Sequence, residues 1–142
     1  MKVMVMAGTR PEAIKVAPVV RELHRRKELT TILCNTGQHK EMIQQAFDDF
    51  GIQPDLHLDV MQPGQTLASL SSRLFEKVDR VLVEQKPDWV LVQGDTTTVM
   101  TSAMCAFYRD IRVGHIEAGL RSFNKWAPFP EEVNREVVSK VA

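Results

Sequence analysis

Four short runs rich in apolar and β-branched residues constrain this chain more than any other feature: 2 to 7 (KVMVMA), 31 to 35 (TILCN), 89 to 92 (WVLV) and 112 to 116 (RVGHI). None alternates apolar and polar residues as a strand with one wet face does, so they suit strands covered on both faces of a parallel sheet. Each ends abruptly in glycine or polar residues. A weaker run, 55 to 60 (DLHLDV), is a fifth candidate strand. Between the first two runs, Ala13, Ile14, Val16, Ala17, Val19, Val20 and Leu23 recur at helical spacing, with Lys15, Glu22, Arg25 and Arg26 opposite. Further helical patterns cover 40 to 50, 66 to 85 and 97 to 108, and the alternation predicts an open α/β sheet, doubly wound, with helices on both faces.

Two prolines test this reading locally. Pro11 stands where a first-turn proline belongs. Pro18 falls inside the helical pattern, where a missing hydrogen bond predicts a bend. Residues 131 to 142 look amphipathic through Val133, Val137, Val138 and Val141, then stop with no glycine or asparagine cap. The expectation is one domain over 1 to 142, forming the front part of a longer protein.

Composition removes several classes of function. Eighteen Lys and Arg balance eighteen Asp and Glu over 142 residues, so no global field favours nucleic acid or an anionic membrane. No apolar run approaches the roughly 18 residues needed to span a bilayer. The start, MKVMVMAGTRPEA, breaks too early into polar residues for a signal-peptide core. Cys34 and Cys105 lie far apart in apolar segments, which predicts buried, reduced thiols and a cytoplasmic protein. No metal site or cofactor is expected.

In open parallel sheets, ligands bind beyond the carboxyl ends of the strands. Here those ends deliver Gly8-Thr9-Arg10-Pro11-Glu12, Thr36-Gly37-Gln38-His39, Gln93-Gly94-Asp95-Thr96-Thr97-Thr98 and His115-Ile116-Glu117-Ala118-Gly119-Leu120-Arg121. Taken singly, each has a plain structural alternative: Asp95 as a helix N-cap, Glu117 as a solvated loop acid, His39 and His115 as hydrogen-bonding residues, Arg10 and Lys15 as surface charge. Together they put acids, glycines and bases on one rim. The glycine fingerprint of dinucleotide folds and the lysine loop of nucleotide triphosphatases are both missing, and no acid ends the first strand. Gly8 with Arg10 and Lys15 near a helix N-terminus is a candidate diphosphate site. Farther on, two prolines frame Phe129, and Glu131 and Glu132 then open a helix where the macrodipole favours acids.

The ordered segments GTRPEAIK (8 to 15), TGQH (36 to 39), PGQTL (63 to 67), GDTTT (94 to 98), GHIEAGLRS (114 to 122) and PFPEEVNR (128 to 135) resemble those of the non-hydrolysing UDP-N-acetylglucosamine 2-epimerases. The resemblance covers essentially the whole chain and implies the first Rossmann-like half of a glycosyltransferase-B type fold. It implies conversion of UDP-GlcNAc to UDP-ManNAc, an isomerase reaction, by elimination of UDP to a 2-acetamidoglucal and readdition. It further implies catalytic roles for Asp95, Glu117 and Glu131, substrate binding by Arg10, Lys15 and Arg135, and an activator site at Gln38 and His39. An arginine that accompanies this last pair in some relatives is replaced here by Gly64. The implied partners are a UDP-sugar, a C-terminal domain that supplies a catalytic histidine and most uridine contacts, and a second copy in a homodimer. Without that domain the 142 residues are expected to be inactive. Two alternatives stay open: the acceptor half of a glycosyltransferase of the same architecture, and a non-catalytic truncated domain.

Overall fold

The computed structural model describes residues 1–38 and 40–142. The elements alternate as β1 (Lys2–Ala7), α1 (Arg10–Arg25), β2 (Thr30–Asn35), α2 (Lys40–Asp49), β3 (Leu56–His57), α3 (Leu67–Gln85), β4 (Trp89–Gln93), α4 (Thr97–Tyr108), β5 (Arg112–Ile116) and α5 (Glu131–Val141). All strand pairings are parallel, in the order β3-β2-β1-β4-β5. This is the doubly wound, Rossmann-like sheet expected from the sequence. The order reverses at β1, whose neighbours are β2 and β4.

Alternation along β1 explains why the sheet needs cover on both sides. Val5 and Ala7 face one way, into a core with Val16 and Val20 of α1 and Ile43 and Phe47 of α2. Met4 and Met6 face the other, against Leu74 and Leu82 of α3, Ala103 of α4 and Val138 of α5. Consecutive side chains of a strand point to opposite faces, so a wholly apolar strand is stable only between two layers. Val133, expected on the apolar face of α5, is instead exposed.

α1 runs unbroken through Pro18. The proline is exposed, as is Ile14, whose carbonyl it deprives of a partner, so water can satisfy that oxygen. The fifth strand is much shorter than the run that suggested it. Leu58 and Val60 amides still bond β2-side carbonyls at Asn35 and Thr36, but Asp59 takes a left-handed φ of 48°. Side chains of α3 claim the carbonyls: Lys77 Nζ donates to Leu58 O at 2.5 Å and Arg73 Nε to Val60 O at 3.0 Å. Cys34 and Cys105 are free and buried, and burial pushes both thiols up to about 12, which leaves them inert near neutral pH. Among the described residues, no helix is long and apolar enough to cross a membrane.

Candidate active site

The site forms where β1 and β4 end side by side, the position at which chain connections diverge to opposite faces and leave a crevice. Gly8 ends β1 because nothing larger fits: a Cβ there would collide with the hydroxyls of Thr36 and Thr98. Those hydroxyls lie 3.1 Å apart, and Thr98 donates onward to Gln38 Oε1 at 2.8 Å. The ends of β1 and β2 and the first turn of α4 are thus pinned at one point, and Gln38 sits on the expected rim. His39 lies outside the described residues.

The next residues form the cleft itself, about 270 Å³, whose walls include Glu12, Lys15, Gln93, Asp95, Glu117 and Arg135. Asp95 does not cap α4. That role belongs to Thr96, whose hydroxyl accepts from Val99 N at 3.3 Å. Asp95 is instead ion-paired through Oδ2 with Arg135 Nη2, and Asn134 Nδ2 donates to its carbonyl at 3.0 Å. Arg135 also donates to Leu120 O, so one α5 side chain ties the end of β4 to the loop after β5.

Glu117 follows β5 in a left-handed conformation, φ 61°. A β-carbon residue rarely adopts this region without something to hold it there. Here Lys15 Nζ lies 2.5 Å from Glu117 Oε2, and Gln93 Nε2 donates to the same oxygen. The Lys15 ammonium, with help from Gln93 and Arg135, holds the Glu117 carboxyl below its usual range. His115 Nε2 lies 2.7 Å from Gly94 O, which assigns the ring a structural hydrogen bond.

Two of the residues expected to be catalytic or substrate-binding fall outside this cleft lining. Arg10 is exposed at the first position of α1, and Glu131 lies in the first turn of α5. Its neighbour Glu132 points inward, with its side chain 2% exposed, and accepts from Arg121 Nε at 2.7 Å, Ser122 N at 3.0 Å and Phe123 N at 3.1 Å. Glu12 is a second acid that sequence reasoning missed. It is 2% exposed, accepting from Gly8 N at 2.6 Å, Thr9 N at 2.8 Å and the Thr96 hydroxyl. Burial pushes its carboxyl upward, against the pull of these donors. The spacing Thr9-x-x-Glu12 is a capping-box signature, and it was the available signal. Two roomier depressions, one beside Pro87 and Arg112 and one between α2 and His57, lie away from this convergence of acids and bases.

A family model described as UDP-N-acetylglucosamine 2-epimerase matches residues 21–142. The chain belongs to the UDP-N-acetylglucosamine 2-epimerase family. The Bacillus subtilis UDP-N-acetylglucosamine 2-epimerase is 48% identical over 142 residues, all of this chain and 37% of the relative. The crystal structure of the Neisseria meningitidis epimerase bound to UDP-GlcNAc superposes with a TM-score of 0.97 at 46% identity, covering 100% of this chain and 38% of that one. The Methanocaldococcus jannaschii epimerase in complex with UDP-GlcNAc and UDP gives 0.93 at 34%, covering 100% and 39%. Acinetobacter baumannii MurG, at 15% identity and a TM-score of 0.68 over 99% of this chain and 39% of its own, shares the fold. The chain therefore corresponds to the N-terminal part of these epimerases and spans less than two-fifths of their length.

Proposed function

We propose that this chain is the acid-bearing N-terminal part of an enzyme that interconverts UDP-GlcNAc and UDP-ManNAc. The observation that carries the reading is the cleft at the β1/β4 divergence, where Asp95–Arg135 and Glu117–Lys15 stand as two acid–base pairs. The hydrogen on C2 of the sugar is not adjacent to a carbonyl, so simple deprotonation and return is very unfavourable. Elimination avoids this: a carboxylate takes the C2 proton, the C1–C2 double bond forms, and the C1–oxygen bond breaks to release UDP. Readdition of the UDP oxygen to C1, with a proton delivered to C2 from the other face, gives the epimer. Two faces require two proton-transfer groups.

Glu117 suits the first role, because it is held as a carboxylate in a strained conformation at the cleft wall. Glu131 suits the second. It is four residues before Arg135, hence on the same helical face and one turn from the cleft. Asp95, fixed by Arg135, then orients the sugar or manages charge at the leaving oxygen. The reading also includes a cytoplasmic homodimer completed by a C-terminal domain, and light scattering of the completed protein tests the dimer.

The decisive assay joins this chain to the C-terminal remainder of the Bacillus subtilis relative and supplies UDP-GlcNAc in deuterated water. UDP-ManNAc carrying C2 deuterium is the expected product. A folded, UDP-binding chimera that yields neither product nor exchange overturns the reading. In the active protein, Glu117→Gln and Glu131→Gln should each cut turnover about 10²-fold or more with UDP binding retained.

A further inference from the structure

The amides of Gly8 and Thr9 stand where α/β folds commonly receive a phosphate, at the end of the first strand and the start of a helix. The sequence led us to expect a diphosphate there, beside Arg10 and Lys15. In the structure the position is filled from within. One Glu12 oxygen accepts from both amides, at 2.6 and 2.8 Å, and the other accepts from the Thr96 hydroxyl. Each amide has a single hydrogen, so donors already spent on Glu12 cannot serve a ligand while that carboxyl stays in place. Glu12 is 2% exposed and in contact with both strand ends, so it has little room to leave.

The charges of the cleft agree with the hydrogen bonds. Its walls carry Glu12, Asp95 and Glu117 against Lys15 and Arg135. Each of these bases already faces an acid, Lys15 at Glu117 and Arg135 at Asp95. Arg10 is exposed and outside the lining. A diphosphate entering here meets an excess of acids and an amide pocket already in use. A sugar ring fits better, because its hydroxyls donate as well as accept and carry no charge.

We propose that Glu12 is a positioning and specificity residue: its carboxyl group occupies the phosphate-type amide pocket at the end of β1, ties that turn to Thr96 at the end of β4, and reserves the cleft for the sugar rather than the diphosphate of a nucleotide sugar. The proposal rests on the epimerase reading only for the identity of the ligand. The pocket itself is tested with inorganic pyrophosphate, which has no sugar and undergoes no epimerisation.

The experiment is a titration of the isotopically labelled chain with pyrophosphate, following the Gly8 and Thr9 amide signals by NMR. In the wild type these signals should not move. Glu12→Ala empties the pocket, and pyrophosphate should then shift both signals and bind about tenfold tighter, the scale of a charge-assisted hydrogen-bond pair. Glu12→Gln keeps an acceptor for the two amides but removes a like charge, and should bind about threefold tighter than wild type. Damage to a merely structural residue weakens binding, so a gain in affinity reports pocket occupancy. Unchanged or weaker affinity in folded variants overturns the proposal, as does a wild-type shift at Gly8 and Thr9. If Glu12→Ala does not fold, Glu12→Gln decides alone, and equality with wild type is the refuting result. An active chimera whose Glu12 variants gain no pyrophosphate affinity overturns this proposal alone, whereas a gain in variants of an inactive chimera leaves it standing without the epimerase reading.

Discussion

Glu12 and Glu132 each hold two backbone amides, with opposite consequences for the carboxyl. Both side chains are 2% exposed, both lie in the first turn of a helix, and each accepts two backbone amides. Burial and the remaining partner separate them. Glu12 faces the neutral Thr96 hydroxyl, and burial drives its carboxyl above the ordinary range. Glu132 faces a guanidinium, and the Ser122 amide together with Arg121 holds it down to about 2. Two backbone amides therefore do not by themselves fix the protonation of an acid: at Glu12 burial outweighs its donors, and at Glu132 the Ser122 amide and the Arg121 guanidinium outweigh burial. The β1–α1 turn spends this tension inside the cleft, while the β5–α5 loop uses its carboxylate to anchor a segment whose Phe123, Trp126 and Phe129 are all exposed.

The contrast can be broken most forcefully at glycine. Gly8→Ala drives a methyl into the Thr36 and Thr98 hydroxyls and should cost about 2 to 4 kcal/mol by urea unfolding, in the range of overpacked, unrelaxed sites. Gly119 in the other region has φ 84° but open space where a Cβ would point. Its alanine variant pays only the left-handed conformation, about 1 kcal/mol. Equal losses at the two sites would mean that the β1 end is no more crowded than the loop.

Neutralising the two acids without changing their shape gives a smaller but sharper effect. At pH 7, Glu132→Gln should lower the unfolding midpoint, because Arg121 keeps only the half-exposed Glu136 as a charged partner and the amides lose a charged acceptor. Glu12→Gln should leave it unchanged or raise it, because the burial cost of an uncompensated charge disappears. Acid separates them further. The Glu132 carboxyl is depressed, so its stabilisation is present above the ordinary value of 4.5 and fades as pH falls toward about 2. The Glu12 carboxyl is raised, so its contribution is full below the ordinary value and is lost as pH rises through the raised one. Wild type should thus gain on Glu12→Gln with acidification and lose ground against Glu132→Gln. Parallel pH profiles for the two variants would refute the opposite displacement of the two carboxyls.

These acids also mark the boundary of what was legible in the sequence. Strands and helices followed from local periodicity, which is why β1, β5 and α4 fell on the expected residues. The rim followed from a rule about strand ends, and it brought Gln38, Asp95 and Glu117 to one edge as expected. Strand order did not follow, since parallel pairing depends on long connections. The run from Asp55 to Val60 shrank to two paired residues because Arg73 and Lys77, on a later helix, took its carbonyls. Asp95 and Thr96 are adjacent and both make good caps, so the choice fell to Arg135, forty positions on, which claims Asp95. Glu12 bonds Thr96 across 84 positions, a contact no local pattern contains.

The smallest stability effect should come from the acid with the largest proposed chemical role. Glu12 and Glu132 lie in first turns of helices, whereas Glu117 directly follows β5; its side chain is 34% exposed and its partner Lys15 is 49% exposed. An exposed pair of this kind contributes roughly 0 to 1 kcal/mol. Against it stands the left-handed backbone, which costs a β-carbon residue about 1 to 2 kcal/mol and costs glycine nothing. Glycine in turn loses about 0.5 to 1 kcal/mol more chain entropy on folding. Glu117→Gly should therefore leave urea stability within about 1 kcal/mol of wild type, as these terms offset. In the chimera the same variant should abolish C2 deuterium exchange. A loss of stability above about 2 kcal/mol would class Glu117 with Glu132, as an acid that holds the loop in place, since losses of that size come from broken structure and not from an exposed pair.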